Sequence, residues 1–216
     1  MTSRDLEILP TDRRTSMTTL GLIGAGAIAS ATATRAVSAG LARVTISNSR
    51  GPDSLRELAL QLGDPVVAGT AQDAGDEDIV VVSVPWSQVP AALGRVSSWT
   101  GKILIDTTNP IEAPTFVPFD LGDATSSEIV AAYAPGANVI KAFNTHNPAV
   151  LRNSPRVNDG KRVILVSGDN EGATSSVARF IATLGFEPVD LGGLREGGRL
   201  YQFPGGPLAG RDLIQL

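Results

Sequence analysis

Three observations predict an α/β fold built on a doubly wound parallel sheet. Strand-like and helix-like segments alternate from Thr19 to Thr145. Within the strand-like stretch 78–84, residues 79–82 are continuously apolar and β-branched, as a parallel strand covered on both faces must be. An apolar run beginning at Thr19 passes through Gly24, Ala25 and Gly26 straight into an alanine-rich helical pattern. Such alternation selects a parallel sheet with helices on both faces and right-handed crossovers.

The first of these elements is a strand, a tight turn and the first turn of a helix. That is the order of a Rossmann nucleotide site. Gly24 makes the turn, Gly26 lets the backbone approach a pyrophosphate, and the small Ala29 permits close helix–strand packing. N–H groups at the helix start, helped by the helix dipole, can hold phosphates. The first helix is expected over 27–39, with Gly40 as its stop. Residues 43–47 form a second strand and 48–52 a turn; Asp53 or Ser54 can cap a helix that ends near Leu62. A third strand over 65–68 precedes a short helical turn at 70–74. After the strong strand at 78–84, Pro85 and Trp86 open a helical segment, 87–93. Residues 102–106 make the fifth strand, and 111–122, with Pro114 and Pro118, read as irregular. A helix at 126–134 and a sixth strand at 138–143 follow. The last third continues the alternation with a strand at 162–167, a helix at 170–184 and a strand at 187–191. Residues 192–216 are glycine-rich.

This organisation divides the chain into a disordered leader, 1–16, a dinucleotide-binding Rossmann domain, 17–145, and a small C-terminal βαβ extension, 146–216. The extension is expected to complete the sheet and a cleft for a second ligand. Met17, directly before the first strand, offers a second translation start. The chain has 216 residues, 42% hydrophobic and 19% charged, which is globular composition with enough length for a substantial core. A net charge of −4 argues against a general nucleic-acid binder. The absence of cysteine removes disulfides and thiolate chemistry, and a single histidine, His146, rules out a multi-histidine metal site. No apolar run approaches the ~20 residues of a membrane span. The polar leader is not a secretory signal, so the expected address is cytoplasmic.

Ligands of doubly wound sheets bind beyond the carboxyl ends of the strands, where the loops carrying Gly24, Asn48, Pro85, Thr107 and Asn144 all fall. An acid at the end of the second strand bonds the ribose hydroxyls of NAD, whereas an arginine nearby accommodates the 2′-phosphate of NADP. This chain has Asn48, Ser49 and Arg50 there, and no acid, which favours NADP. Trp86 is either a core aromatic or a ligand contact. Asn144 and Thr145 can bond a carboxamide or a flat heterocycle. His146 reads as a surface-loop histidine, since hydride transfer between two carriers needs no general acid. Asp106 reads as a turn or cap residue, and Asp73, Asp76, Glu77 and Asp78 as a solvated loop.

The chain resembles the coenzyme F420-dependent NADP oxidoreductase family. The resemblance rests on the ordered segments 21–28 (GLIGAGAI), 47–52 (SNSRGP), 84–86 (VPW), 105–110 (IDTTNP), 141–144 (KAFN) and 191–194 (LGGL), and runs from Met17 to about Pro207. It implies hydride transfer between NADP and a deazaflavin, coenzyme F420; the related membrane metalloreductases carry a similar domain that reduces flavin, so FMN is a second candidate. By position, Ala25, Gly26, Ala27 and Ile28 would hold the pyrophosphate. Ser49 and Arg50 would hold the 2′-phosphate. Val84, Gln88 and Asn109 would lie along the nicotinamide ribose, and Asn144, Thr145 and His146 would border the second ring. Pro85, Asn109 and Asn144 would position the two rings. The family pattern departs here at Asn144, often histidine in deazaflavin-binding members, at Ser54, where a basic residue is usual, and in the short C-terminal segment. A homodimer binding only small molecules is expected. The other readings are an NADP-dependent dehydrogenase or imine reductase of a small metabolite, and a non-catalytic NADP-binding sensor.

Overall fold

The computed structural model describes residues 18–112 and 114–216; the leader and Met17 lie outside them. Chain order begins with β1 (Thr19–Ile23), α1 (Ala27–Ser38), β2 (Arg43–Ser47), α2 (Arg56–Leu62), β3 (Val66–Ala68), α3 (Ala71–Gly75) and β4 (Ile79–Val82). It continues with α4 (Val89–Leu93), β5 (Ile103–Asp106), β6 (Ile111–Glu112), β7 (Val117–Pro118), α5 (Ser126–Tyr133) and β8 (Asn138–Lys141). The last third contributes α6 (Pro148–Arg152), β9 (Arg156–Val157), β10 (Gly160–Gly168), α7 (Glu171–Thr183), β11 (Glu187–Asp190), α8 (Glu196–Tyr201) and β12 (Ile214–Gln215).

The main sheet runs β11-β10-β8-β5-β4-β1-β2-β3. From β3 to β8 every pairing is parallel. The strand order reverses between β1 and β4, so a crevice opens beyond their carboxyl ends. Alternate residues of β4 serve opposite faces: Ile79 and Val81 join a core with α1, α2 and α7, while Val80 and Val82 join a second core with α4 and α5. Burial on both faces explains why this strand carries no polar residue. Among the described residues no helix is long and apolar enough to cross a membrane.

The alternation does not stay parallel to the end. β10 runs antiparallel to β8, with Ser167 opposite Lys141. The helix between them, α6, has five residues and rises only about 7.5 Å. It cannot carry the chain back to the amino edge of the sheet, so β10 starts at the carboxyl edge and runs the other way. The next helix, α7, has 13 residues, and β11 accordingly lies parallel to β10. β9 and β12 flank the first residues of β10 as short antiparallel strands.

Other local expectations are corrected. Residues 111–122 are not wholly irregular: β6 and β7 form a two-stranded ladder with Ile111 opposite Pro118. Neither Asp53 nor Ser54 caps α2. Pro52 instead starts a 3-10 turn that runs into the helix, Asp53 pairs with Arg56 at 2.6 Å, and the Ser54 hydroxyl serves Asn48. The acidic cluster is not a solvated loop throughout, because Glu77 is buried, receiving the Thr45 hydroxyl and pairing with Arg43 at 3.0 Å.

A candidate dinucleotide cleft

The cleft lies at the carboxyl ends of β1, β2 and β4. Its floor is the glycine turn. Gly24 has φ +113°, and a Cβ on it would sit 2.1 Å from the Ser83 carbonyl oxygen, so β1 and β4 can approach here only through glycine. The Gly24 N–H donates to the Ser47 carbonyl at 3.0 Å, and the Ser83 N–H to the Ile23 carbonyl at 2.8 Å, which pins the loops after β1, β2 and β4 together. Gly26 is the N-cap of α1. No side chain caps this helix and no acid lies in its first turn, whereas α5 and α7 are capped by Thr125 and Asn170. The first N–H groups of α1 are therefore left for an anion. A Cβ on Gly26 would meet no atom within 4 Å, so the space in front of those groups is open. Ala25 lines the cleft, Ala27 is exposed, and the Ile28 side chain turns into the core, leaving only its backbone to face a ligand.

Asn48, Ser49 and Arg50 form the wall after β2. The Asn48 side-chain oxygen accepts from the N–H groups of Arg50, at 2.9 Å, and Gly51, at 3.0 Å, while its nitrogen donates to Ser54 at 2.9 Å. Asn48 thus folds the loop, and Ser49 and Arg50 stand exposed on it. Arg50 makes no ion pair among the described residues. Opposite them stands Arg95, two residues past α4, whose guanidinium donates to the Ser49 carbonyl at 3.4 Å. The sequence offers no motif that singles out Arg95; only the shortness of α4 brings it here.

The third wall is Val84, Pro85 and Gln88 after β4. Trp86, left open by the sequence, packs half-buried against the core under α4 and lines no part of the cleft. The turn it belongs to is held by Glu112 of β6, whose carboxylate accepts from the Ser87 N–H and hydroxyl, both at 3.1 Å.

Asn109 and Asn144 come together, but outside the cleft wall just described. The Asn109 amide donates to the Asn144 carbonyl at 2.9 Å, and the Asn144 amide donates to Asn109 at 3.1 Å and to the Tyr201 carbonyl at 2.9 Å. Phe143 just before holds φ +62°, an uncommon conformation for an aromatic residue that turns Asn144 toward Asn109. The Asn144 side-chain oxygen is buried without a partner. Thr145 spends its hydroxyl on His146, at 3.2 Å.

Two readings of this region change. His146 is buried, not a surface histidine, because β10 and the C-terminal segment cover it with Arg162 and with Asp212, whose carboxylate lies 3.7 Å from Nε2. Burial pushes its imidazole below the ordinary 6.5, with Asp212 opposing the shift and Arg162 adding to it. Asp106 accepts from Thr108 like a turn residue, yet it is fully buried and pairs with Lys141 at 3.5 Å. Lys141 is equally buried and donates to Ser126 at 3.0 Å and to the Thr108 carbonyl at 3.2 Å. Burial lowers its ammonium below the usual lysine range, with Asp106 opposing.

Comparison with known proteins matches residues 19–110 to the family model of coenzyme F420-dependent NADP oxidoreductases, a span that includes every residue lining the cleft, from Ile23 to Arg95. The match spans somewhat less than half of the 216 residues of the chain. A structure of a hypothetical protein from Sinorhizobium meliloti is 43% identical, with a TM-score of 0.87 over 94% of this chain and 98% of its own. A proposed F420-dependent NADP-reductase from an Arthrobacter species is 26% identical, with a TM-score of 0.71 over 82% and 86% of the two chains. The rat metalloreductase STEAP3 is 28% identical over 86% of this chain, and that match spans only 36% of the rat protein. The chain thus covers about a third of the curated relatives it matches. A reductive aminase from Aspergillus terreus, 22% identical with a TM-score of 0.61, shares the fold.

Proposed function

We propose that this protein is a member of that oxidoreductase family and transfers a hydride between NADP(H) and a deazaflavin, coenzyme F420, or a flavin. The observation that carries the reading is the pairing of an uncapped α1 N-terminus, open in front of Gly26, with a β2 loop that offers Ser49 and Arg50 and no acid. The first suits a pyrophosphate and the second a 2′-phosphate.

The dinucleotide supplies a hydride, and the acceptor ring takes it up with a proton from solvent. The chain's own part is to bind and orient. Backbone N–H groups of residues 26–28 hold phosphate, and Arg50 selects the phosphorylated ribose. Val84, Pro85 and Gln88 line the cleft after β4 and would bound the nicotinamide end of a bound dinucleotide. The Asn109–Asn144 pair ties the loops after β5 and β8 to α8 and fixes the border of the neighbouring space. Alignment of donor and acceptor carbons supplies much of the rate in such transfers. A general acid is not required, and His146 is buried away from the cleft.

The test is isotopic. NADPH deuterated at the transferred position of C4 is mixed with F420 and protein, and the reduced deazaflavin is weighed by mass spectrometry. One deuterium should be found on carbon in the product. Unlabelled reduced deazaflavin, or no reduction of either F420 or FMN, overturns the reading.

A further inference from the structure

A shallow recess continues the cleft past Ser49, bordered by Arg50, Gly51, Thr70, Gln72 and Arg95. Two guanidinium groups face it and no carboxylate lines it. Asp73, next along the chain from this wall, gives its carboxylate to the Thr70 N–H and hydroxyl, both at 2.8 Å. Gln72 is likewise engaged, donating to Asp76 at 2.9 Å and accepting from the Ser97 N–H at 2.8 Å. Neither arginine has an acidic partner among the described residues. The two belong to elements far apart in sequence, and the bond from Arg95 to the Ser49 carbonyl, 46 residues away, holds them on one recess. Like charges placed together without a counter-charge repel, and the arrangement is favourable only when an anion sits between them.

We propose that Arg95 is a second specificity-determining cation for the dinucleotide, clamping the 2′-phosphate from the α4 side while Arg50 and Ser49 hold it from the β2 side. The proposal rests on the NADP reading above. A phosphomonoester carries about −1.5 to −2 charges at neutral pH, enough for two guanidinium groups, each able to make a bidentate contact. NAD carries no group there, so Arg95 should matter only for the phosphorylated cofactor. One structural consequence follows. α4 starts directly after Gln88 and ends two residues before Arg95, so a phosphate held by Arg95 would act on the same short element that follows the Gln88 wall.

The experiment titrates wild type, Arg50→Ala, Arg95→Ala and Arg95→Lys with NADPH, NADH and 2′,5′-ADP, and with inorganic phosphate as the free-anion control. Arg95→Ala should bind NADPH and 2′,5′-ADP roughly ten- to a hundredfold more weakly. NADH should change less than about twofold, and Arg95→Lys should recover part of the loss. Because Arg95 is exposed and packs in no core, its variants should melt with the wild type. Equal weakening of NADPH and NADH, or no weakening while Arg50→Ala loses NADPH, overturns the role of Arg95 and leaves the NADP reading standing. Binding of inorganic phosphate as tight as that of 2′,5′-ADP overturns it too, by making the recess a free-anion site. A wild type that binds NADH better than NADPH overturns both.

Discussion

A methyl group added to Gly26 meets no atom within 4 Å, whereas one added to Gly24 would lie 2.1 Å from the Ser83 carbonyl oxygen. The two glycines therefore answer to different demands. Gly26 sits at an ordinary φ of −79°, and the room beside it belongs to a ligand. Gly26→Val should melt with the wild type and lose NADPH binding altogether, read by thermal denaturation and nucleotide fluorescence; lost cooperative melting would make Gly26 structural instead. Gly24→Ala should fail in the opposite manner, with lower stability first. Arg50 makes a sharper case. Arg50→Ala should weaken NADPH by about 1.5–3 kcal/mol, roughly ten- to a hundredfold, and leave NADH nearly unchanged. Equal losses for both nucleotides would show that Arg50 does not read the phosphate. His146→Ala should change the maximal rate by less than about tenfold, because a buried imidazole outside the cleft holds no proton for the reaction.

At the scale of elements, the carboxyl ends of β5 and β8 are locked by polar contacts that sequence patterns do not reveal. Lys141 bonds Ser126 at the start of α5 and the Thr108 carbonyl, and it faces Asp106, which also accepts from Thr108 and from the Ser127 hydroxyl at 2.6 Å. Removing one member leaves the other charged and buried. Lys141→Met should cost about 3–5 kcal/mol of unfolding free energy in denaturant titration. The double variant Lys141→Met with Asp106→Leu should recover part of that loss, since two matched apolar side chains need no partner. A double variant no more stable than Lys141→Met would mean that the pair is not the unit. The same elements carry Phe143 at positive φ and the Asn109–Asn144 pair, so loosening them should also raise KM for the second substrate.

For the whole molecule, the antiparallel turn of β10 places a titrating group inside the fold. His146 lies under Arg162 of β10 and Asp212 beside β12. Its folded imidazole is held below 6.5, so the unfolded chain takes up a proton before the folded one does. Stability should then be full above about pH 6.5 and fall as the pH drops below it, because the unfolded state binds more protons there. Melting temperatures between pH 7.5 and 5 test this. His146→Gln should show a smaller drop across that window than the wild type. An identical drop would assign the dependence to other groups.

The sequence by itself determined the parallel half of this protein and the outline of its cleft. Gly24, Gly26, the β2 end and the apolar β4 act through local backbone geometry and burial period, which neighbours in the chain largely dictate. The Ser49–Arg50 pair was legible for the same reason, since it follows a strand directly. Tertiary structure decided the rest. A five-residue α6 reversed β10, which buried His146 and Asp212 together from opposite ends of the C-terminal third. The partnership of Lys141 with Asp106, and of Arg95 with Ser49, joins residues whose spacing carries no period and no motif. Only the packed sheet brings such groups within hydrogen-bonding reach, because through-space proximity across crossovers depends on helix lengths and register rather than on local sequence.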